Sequence, residues 1–400
     1  MAFLINTLAF AVVICGLVFS AWLALETAAS FARPRMRARS GNRPTNIAIV
    51  VPAHNEAGII AKTLGSILAQ CNQSDRVIVV ADNCVDETAD VARSCGVSVL
   101  ERENANQRGK GFALQFALDH LKTSPPDVVI FIDADCTIYE GAVETLGDLA
   151  TTNDRPAQAM YLLNAPDGAG PSARISVFAW AFINKVRMSG LDRLANASRI
   201  TGSGIALPWR IADQLNLASG EVVEDLALAF ELVRNNDLPI LAHDARVVSD
   251  LPSSEEERIR QSARWEHGGR ALARKVVWEN FKHAVAKGNL ALAMLTFDVA
   301  IPPLMRLIAF VFFGGFFALI AFLITGASGA LILAGISLAM IAVSVLSGWA
   351  GHCRELLKID DVLNAGSFIK TKNKVYSGEA RQSANVWTPT RDHGSKTGRE

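Results

Sequence analysis

Asp133 and Asp135 stand two residues apart at the end of the apolar run VVIFI. In an extended chain such residues point to the same side, so both carboxylates can face one ligand. Hard oxygen donors suit Mg2+ or Mn2+, and Mg2+ is commonly held by one or two carboxylates plus substrate phosphates, which a metal-chelated nucleoside diphosphate would supply. An ordinary acidic loop after a strand is the plainer alternative. Lys110 lies between Gly109 and Gly111, which permit close backbone approach to a phosphate; the alternative is a solvated lysine at a helix start. Glu224 and Asp225 open the amphipathic run EDLALAFELVRN. First-turn acids complement a helix dipole, and a carboxylate can equally act as a general base. Gln261, Arg264 and Trp265 fall at i, i+3 and i+4 of another helical pattern, hence on one face. An Arg there can pair with a diphosphate in forked geometry, while a Trp offers a flat surface to a sugar ring or serves as a core or interfacial anchor. His267 reads as a packed or surface residue.

The elements that must hold these groups alternate between two periods. Between Thr45 and Ala150 the runs NIAIVV, RVIVVAD, VSVL and DVVIFIDAD are apolar throughout, and helical patterns separate them, the first with Ile60, Leu64, Ile67 and Leu68 on one face. The fold class expected is therefore α/β, with a parallel sheet covered on both faces and right-handed crossovers. Ligands of such sheets bind at the carboxyl ends of the strands, where Glu56, Asp82, Asp133 and Asp135 fall. No Gly-x-Gly-x-x-Gly follows the first strand, so a dinucleotide cofactor is not indicated. Ser253 with Glu256, or Ser254 with Glu257, makes a capping box opening a helix that continues to about Phe281.

Other stretches belong in a membrane. Half of the 400 residues are hydrophobic, 20% are charged and the mean hydropathy is +0.24. Lys plus Arg and Asp plus Glu both number 39, which leaves no positive field to gather nucleic acid. Six scattered cysteines without a Cys-x-x-Cys pair argue against a disulfide framework or zinc site and fit a reduced interior. Residues 3–25 carry no charge and are long enough to cross about 30 Å of hydrocarbon; a cleaved signal peptide is the competing reading. Arg33, Arg35, Arg37, Arg39 and Arg43 follow without an acid among them, an excess that stays cytoplasmic. Leu307 to Thr325 and Ala330 to Leu346 read as a membrane hairpin, and Leu290 to Met305, interrupted by Asp298, Pro302 and Pro303, as an interfacial helix. Three spans return Lys358, Lys370, Lys372 and Lys374 to the cytoplasm, and the polar tail after about Ser377 reads as mobile.

Seven signatures in order then give a resemblance. VVPAHNEA (Val50 to Ala57), VVADNCVDET (Val79 to Thr88), RGKG (Arg108 to Gly111), DAD, TGSG (Thr201 to Gly204), VED (Val223 to Asp225) and QSARW (Gln261 to Trp265) occur across about Asn46 to Trp265. Together they make the chain resemble family 2 glycosyltransferases of the GT-A fold, in the membrane-bound branch of cellulose, chitin and hyaluronan synthases. The resemblance implies that Pro52, Ala53 and Glu56 line a uridine and ribose pocket, that Asp82 binds the base, and that Lys110 sits near the nucleotide. It further implies that Asp133 contacts nucleotide and sugar, that Asp135 is the main protein ligand of the metal, and that Gly202, Ser203 and Gly204 face the acceptor with Trp265. Asp225 becomes the general base with Glu224 in support; Gln261, Arg264 and Trp265 complete the catalytic group. Val223 replaces the commoner Thr of that motif.

The expected organisation is an N-terminal transmembrane helix (1–28), a basic linker (29–44), a GT-A catalytic domain (45–250), interface helices (251–305), a transmembrane hairpin (306–350) and a cytoplasmic tail (351–400). The expected function is metal-dependent, inverting transfer from a nucleotide sugar, UDP-linked, to a polysaccharide or lipid-linked glycan acceptor at the plasma (inner) membrane, with an oligomer or partner for any export. A processive synthase and a ceramide-type lipid glycosyltransferase are the alternatives within the class. A nucleotide-binding membrane scaffold without turnover is the alternative outside it; loss of Asp135, Asp225 or Arg264 would favour it, and all three are present.

Overall fold

The computed structural model describes residues 2–41, 44, 46–218 and 224–376. Arg43, Val223 and the polar stretch from residue 377 lie outside the described residues. The strands are β1 (Ile47–Ala53), β2 (Arg76–Asp82), β3 (Ser98–Arg102), β4 (Val128–Phe131), β5 (Cys136–Ile138), β6 (Ala157–Asn164), β7 (Ile205–Pro208) and β8 (Ile240–Asp250). The helices interleaved with them are α1 (Ala2–Ser30), α2 (Ile60–Leu68), α3 (Thr88–Ser94), α4 (Lys110–Leu121), α5 (Ala142–Asn153), α6 (Pro171–Ala181), α7 (Met188–Ala195), α8 (Trp209–Ala212) and α9 (Glu224–Arg234), with a π-helical stretch Phe182–Arg187 between α6 and α7. After β8 come α10 (Glu255–Lys287), α11 (Leu290–Ala300), α12 (Leu304–Thr325), α13 (Gly329–His352), α14 (Ile359–Leu363) and α15 (Gly366–Val375).

Among the described residues the strands form one eight-stranded sheet in the order β3-β2-β1-β4-β7-β6-β8-β5. The period of two in β1 explains its two-sided burial: Ile47, Ile49 and Val51 join Leu64, Ile67 and Leu146 on one face, while Ala48 and Val50 join Leu114, Leu118 and Phe230 on the other. Each Val, Ile, Leu or Phe side chain among them contributes about 1.5–3 kcal/mol by leaving water. The parallel reading holds for β3, β2, β1 and β4. Beyond them the sheet is mixed, because β7 pairs antiparallel with both β4 and β6, and β5 antiparallel with β8. The short runs of β5 and β7 are too brief to show a period in sequence. Between Ala159 and Met160 the register jumps from Ala242 to Arg246, so the extra residues bulge from β8.

Three helices, α1, α12 and α13, are long and apolar enough to cross a membrane among the described residues. They pack on one another, with Gly16 of α1 against Val311 and Gly314 of α12 against Val12, where small residues let the backbones approach. Gly190 admits closer contact still: a Cβ there would lie 2.0 Å from the carbonyl oxygen of Glu26, so α7 rides directly on the end of α1. The basic segment after α1 straps the sheet's helices as well, since Arg37 pairs with Asp192 at 2.6 Å and Arg39 reaches Asp148 and Thr145.

Helix α10 begins where the second capping box places it, with the Ser254 hydroxyl accepting from the Glu257 amide at 3.2 Å. It outruns the expected end at Phe281 and stops at Gly288, whose φ of 63° supplies the left-handed cap. Helix α11 is shorter than the expected Leu290 to Met305: it runs through Asp298 but stops at Ala300 before the proline pair, and Leu304 and Met305 open α12 instead.

Candidate active site

The carboxyl ends of β1, β2 and β4 open on the same edge, and the loops beyond them bring the predicted residues together. Asp133 and Asp135 do converge, but by a turn rather than an extended strand: the Cys136 amide donates to the Asp133 carbonyl at 3.1 Å, folding the Asp-Ala-Asp segment between β4 and β5. The ligand atoms of Asp133, Asp135 and Cys136 lie within 4.8 Å of one another. Burial pushes the Cys136 thiol well above its ordinary value, so it stays neutral and the two carboxylates are the hard donors that suit a divalent cation. Ser249 of β8 donates to Asp135 Oδ2 at 3.0 Å and fixes its orientation.

Lys110, the first residue of α4, is no solvated helix-start lysine. Its Nζ lies 2.5 Å from Asp133 Oδ1, donates to the Gly202 carbonyl at 2.7 Å and stands 3.8 Å from Glu224 Oε1. Burial works against its charge, but Asp133 and then Glu224 outweigh it and hold the ammonium above its ordinary pKa. For Asp133 burial raises the carboxyl, Lys110 pulls it down, and the Arg264 charge does so more weakly; the balance lies above the ordinary value. Burial likewise raises Asp225, against Lys110 and the Leu226 amide that donates to its Oδ1 at 2.8 Å. Glu224 is pushed from 4.5 up to about 7, chiefly by burial and further by Asp225.

Gly202 sits amid these charges. With φ at +74°, a Cβ on it would stand 3.7 Å from Asp225 Oδ2 and 3.8 Å from both Asp133 Oδ2 and Lys110 Nζ. Ser203 and Gly204 are buried beneath it. The Ser203 hydroxyl accepts from the Asp133 amide at 3.0 Å, and the Gly204 amide donates to the Phe131 carbonyl at 2.9 Å. Of the three glycine-loop residues only Gly202 borders the open site; the other two support it.

The nucleotide-side residues form a second group. Pro52 and Ala53 end β1, and the Glu56 amide donates to Thr88 Oγ1 at 2.8 Å. Asp82 ends β2 in a buried pair with Arg102 of β3 at 2.6 Å, with the Asn83 amide group donating to the same carboxylate oxygen. On α10, Gln261 is buried, and Trp265 packs against Trp180 with centroids 4.4 Å apart and planes tilted by 34°. Trp180 donates its indole N–H to the Tyr161 carbonyl at 3.1 Å. Helix α15 straps this part of α10: Lys372 donates to Ser262 at 2.9 Å and pairs with Glu266, and His267, packed as expected, donates to the Val375 carbonyl at 2.8 Å.

Sequence reasoning missed Gln158, Arg102, Ser249 and Trp180. Gln158 is fully buried within β6, where its Oε1 accepts from the Thr201 amide at 3.0 Å and its amide group donates to the Ser203 carbonyl at 2.8 Å. A lone amide in the apolar strand AQAMYLL was a signal that could have found it, because buried polar groups need partners.

A family model described as "Glycosyltransferase like family 2" matches residues 44–268. The 4,4'-diaponeurosporenoate glycosyltransferase of Staphylococcus aureus (strain bovine RF122 / ET3-1) is 37% identical over 119 residues, 28% of this chain and 31% of the relative. Its counterpart from strain USA300 is 39% identical over 104 residues, 25% of this chain and 27% of the relative. The alignments thus span well under two thirds of either relative's length. Among solved structures, the mannosyltransferase PcManGT from Pyrobaculum calidifontis, in complex with GDP-Man and Mn2+, is similar at TM-score 0.54 and 16% identity, covering 96% of this chain and 99% of that one. That likeness is one of fold.

Proposed function

Because the chain belongs to the glycosyltransferase-like family 2, and so is a glycosyltransferase that uses nucleotide-sugar donors, we propose that it is a membrane-bound, inverting enzyme with a UDP-linked donor and a lipid-linked or polysaccharide acceptor. The observation that carries this reading is the convergence of Lys110, Asp133, Glu224 and Asp225 around Gly202, at the carboxyl edge of the sheet.

Asp133 and Asp135 would hold Mg2+ or Mn2+, which supplies neutralising charge for a departing diphosphate. The remaining work falls to the chain. Asp225 accepts the proton of the acceptor hydroxyl as its oxygen bonds to the anomeric carbon; the bond from that carbon to the diphosphate breaks, and its electron pair leaves with the nucleotide. Glu224 keeps the Lys110 ammonium beside that reaction. Arg264 faces the diphosphate, and Trp265, backed by Trp180, offers its ring to the acceptor with Gly202. Pro52, Ala53 and Glu56 line the nucleoside pocket, and Asp82 binds the base. The three apolar helices support placement in the plasma (inner) membrane with the catalytic domain cytoplasmic. The relatives' name is that of an enzyme acting on a single compound, which favours one addition over chain extension.

The test incubates membranes containing the protein with radiolabelled nucleotide sugars, UDP- and GDP-linked, and sorts products into lipid-extractable and polymeric fractions. Label in the lipid fraction, lost with chelator and restored by Mg2+ or Mn2+, is the expected result. More than one labelled sugar added per acceptor would overturn the single-addition reading, and undiminished turnover in excess chelator the metal reading.

A further inference from the structure

Asp298 lies in the last turn of an apolar helix, α11, yet is only 1% exposed. Its carboxylate joins two arginines. Arg199 grips it in a fork, its Nε on Oδ2 and its Nη2 on Oδ1 at 2.5 Å, and Arg187 donates to Oδ1 at 2.7 Å. Arg187 in turn donates to Glu26 Oε2 at 2.7 Å, and Glu26 Oε1 accepts the Trp22 indole N–H at 2.7 Å. Glu26 is fully buried at the end of α1. Four ionisable side chains therefore form one line from the first apolar helix, through the π-helical stretch and α11, to Arg199.

Burying so many ions is a poor route to stability alone, since apolar packing of like volume does as well. What a forked pair adds is fixed geometry. Arg199 stands two residues before Thr201, and the loop from Thr201 to Gly204 carries Gly202 against Asp225 and Lys110. Gln158 and the Asp133 amide hold the loop from the sheet side. The arginine fork holds the segment leading into it from the membrane side.

We propose that Asp298 is a positioning residue for sugar transfer: through Arg199 it sets the place of the Gly202 loop over the carboxylates, and through Arg187 and Glu26 it moors that loop to α1. The inference rests on the transferase reading of the site. A loop so held aligns the acceptor hydroxyl with Asp225; a displaced loop leaves the donor site intact but lets water compete for the anomeric carbon, giving free sugar and nucleoside diphosphate.

The test uses membranes containing the full chain and a labelled donor that the native protein turns over. It measures label transferred to acceptor against label released as free sugar, a ratio that does not depend on how much protein is folded. Arg199→Gln should lower the ratio roughly ten-fold, because sub-ångström to ångström misplacement of reacting groups costs that much or more, while affinity for the matching nucleoside diphosphate stays within about two-fold of native. Arg199→Lys, which keeps the charge but loses the fork, should fall between, and it carries the test if the glutamine variant does not accumulate. An unchanged ratio in either variant, or transfer and hydrolysis falling in parallel, overturns the inference. Native membranes that neither transfer nor hydrolyse any donor overturn the transferase reading and this inference with it; native turnover with an unchanged ratio overturns this one alone.

Discussion

Glu224→Gln should change how the stability of this protein depends on pH. The Glu224 carboxyl is 22% exposed and 3.8 Å from Lys110 Nζ, and burial, reinforced by Asp225, lifts it from 4.5 to about 7. Between those values the folded chain binds a proton that the unfolded chain has released, so the contribution to stability is fully present below pH 4.5 and is lost as pH rises through about 7. At 1.36 kcal/mol per unit the full span corresponds to about 3 kcal/mol; partial exposure screens the group and leaves about 2 kcal/mol. For a domain of this size that is roughly 4–8 °C in thermal midpoint. Thermal unfolding of the detergent-solubilised protein at pH 5 and pH 8, without nucleotide or metal, reads it. The native protein should lose several degrees more than Glu224→Gln on going to pH 8. Parallel losses in the two proteins would refute the claim that this buried acid carries the dependence.

Other substitutions separate the remaining roles. Asp225→Asn keeps the shape of the side chain but removes its basicity, so turnover should fall roughly 10²-fold or more with donor affinity nearly unchanged; near-normal turnover with a lowered thermal midpoint would reduce Asp225 to a helix-end acid. Gly204→Ala forces a side chain onto a φ of +76° and within 2.6 Å of Ala159 Cβ and 2.9 Å of Val247 Cγ2. Strain and overpacking together should cost about 2–4 kcal/mol of stability, and denaturant titration showing less than about 1 kcal/mol would mean the loop yields freely. A reporter joined after Arg39, or at the end of the chain, should lie in the cytoplasm, and a periplasmic signal from either would break the three-span arrangement.

The strands easiest to read were those buried on both faces. IAIVVPA is apolar throughout and RVIVVAD is apolar from Val77 to Ala81, on both faces of the pleat, which is the mark of a strand covered on both sides. The antiparallel half escaped because its pairings are long-range: Ile205 to Pro208 means little until it lies against Val128 to Phe131. In the site, residue types announced Lys110, Asp133, Glu224 and Asp225, since charged groups beside apolar runs stand out. Their mutual distances did not, for these depend on the turn at Asp133 and on Gly202. Asp298 shows the opposite limit. In sequence it reads only as a break in an apolar helix, and its partners Arg187 and Arg199 lie roughly a hundred residues away. The arginines of the linker carried two messages at once: Arg37 and Arg39, read as a topology signal, also bind Asp192 and Asp148.

The three apolar helices that pack on one another are far apart along the chain, α1 ending at Ser30 and α12 beginning at Leu304. During synthesis at about 5–20 residues per second, α1 therefore waits roughly 14 to 55 seconds before the first of its two long apolar partners emerges. The whole sheet emerges in that interval, joined at one end to an apolar helix still without its apolar partners. Glu26 gains Arg187 midway and becomes part of the complete charged line only when Asp298 follows. Asp298 thus completes the buried line before α12 and α13 follow, so a nascent chain halted ahead of α12 would already hold the segment leading to Gly202 but would leave α1 without its two apolar partner helices.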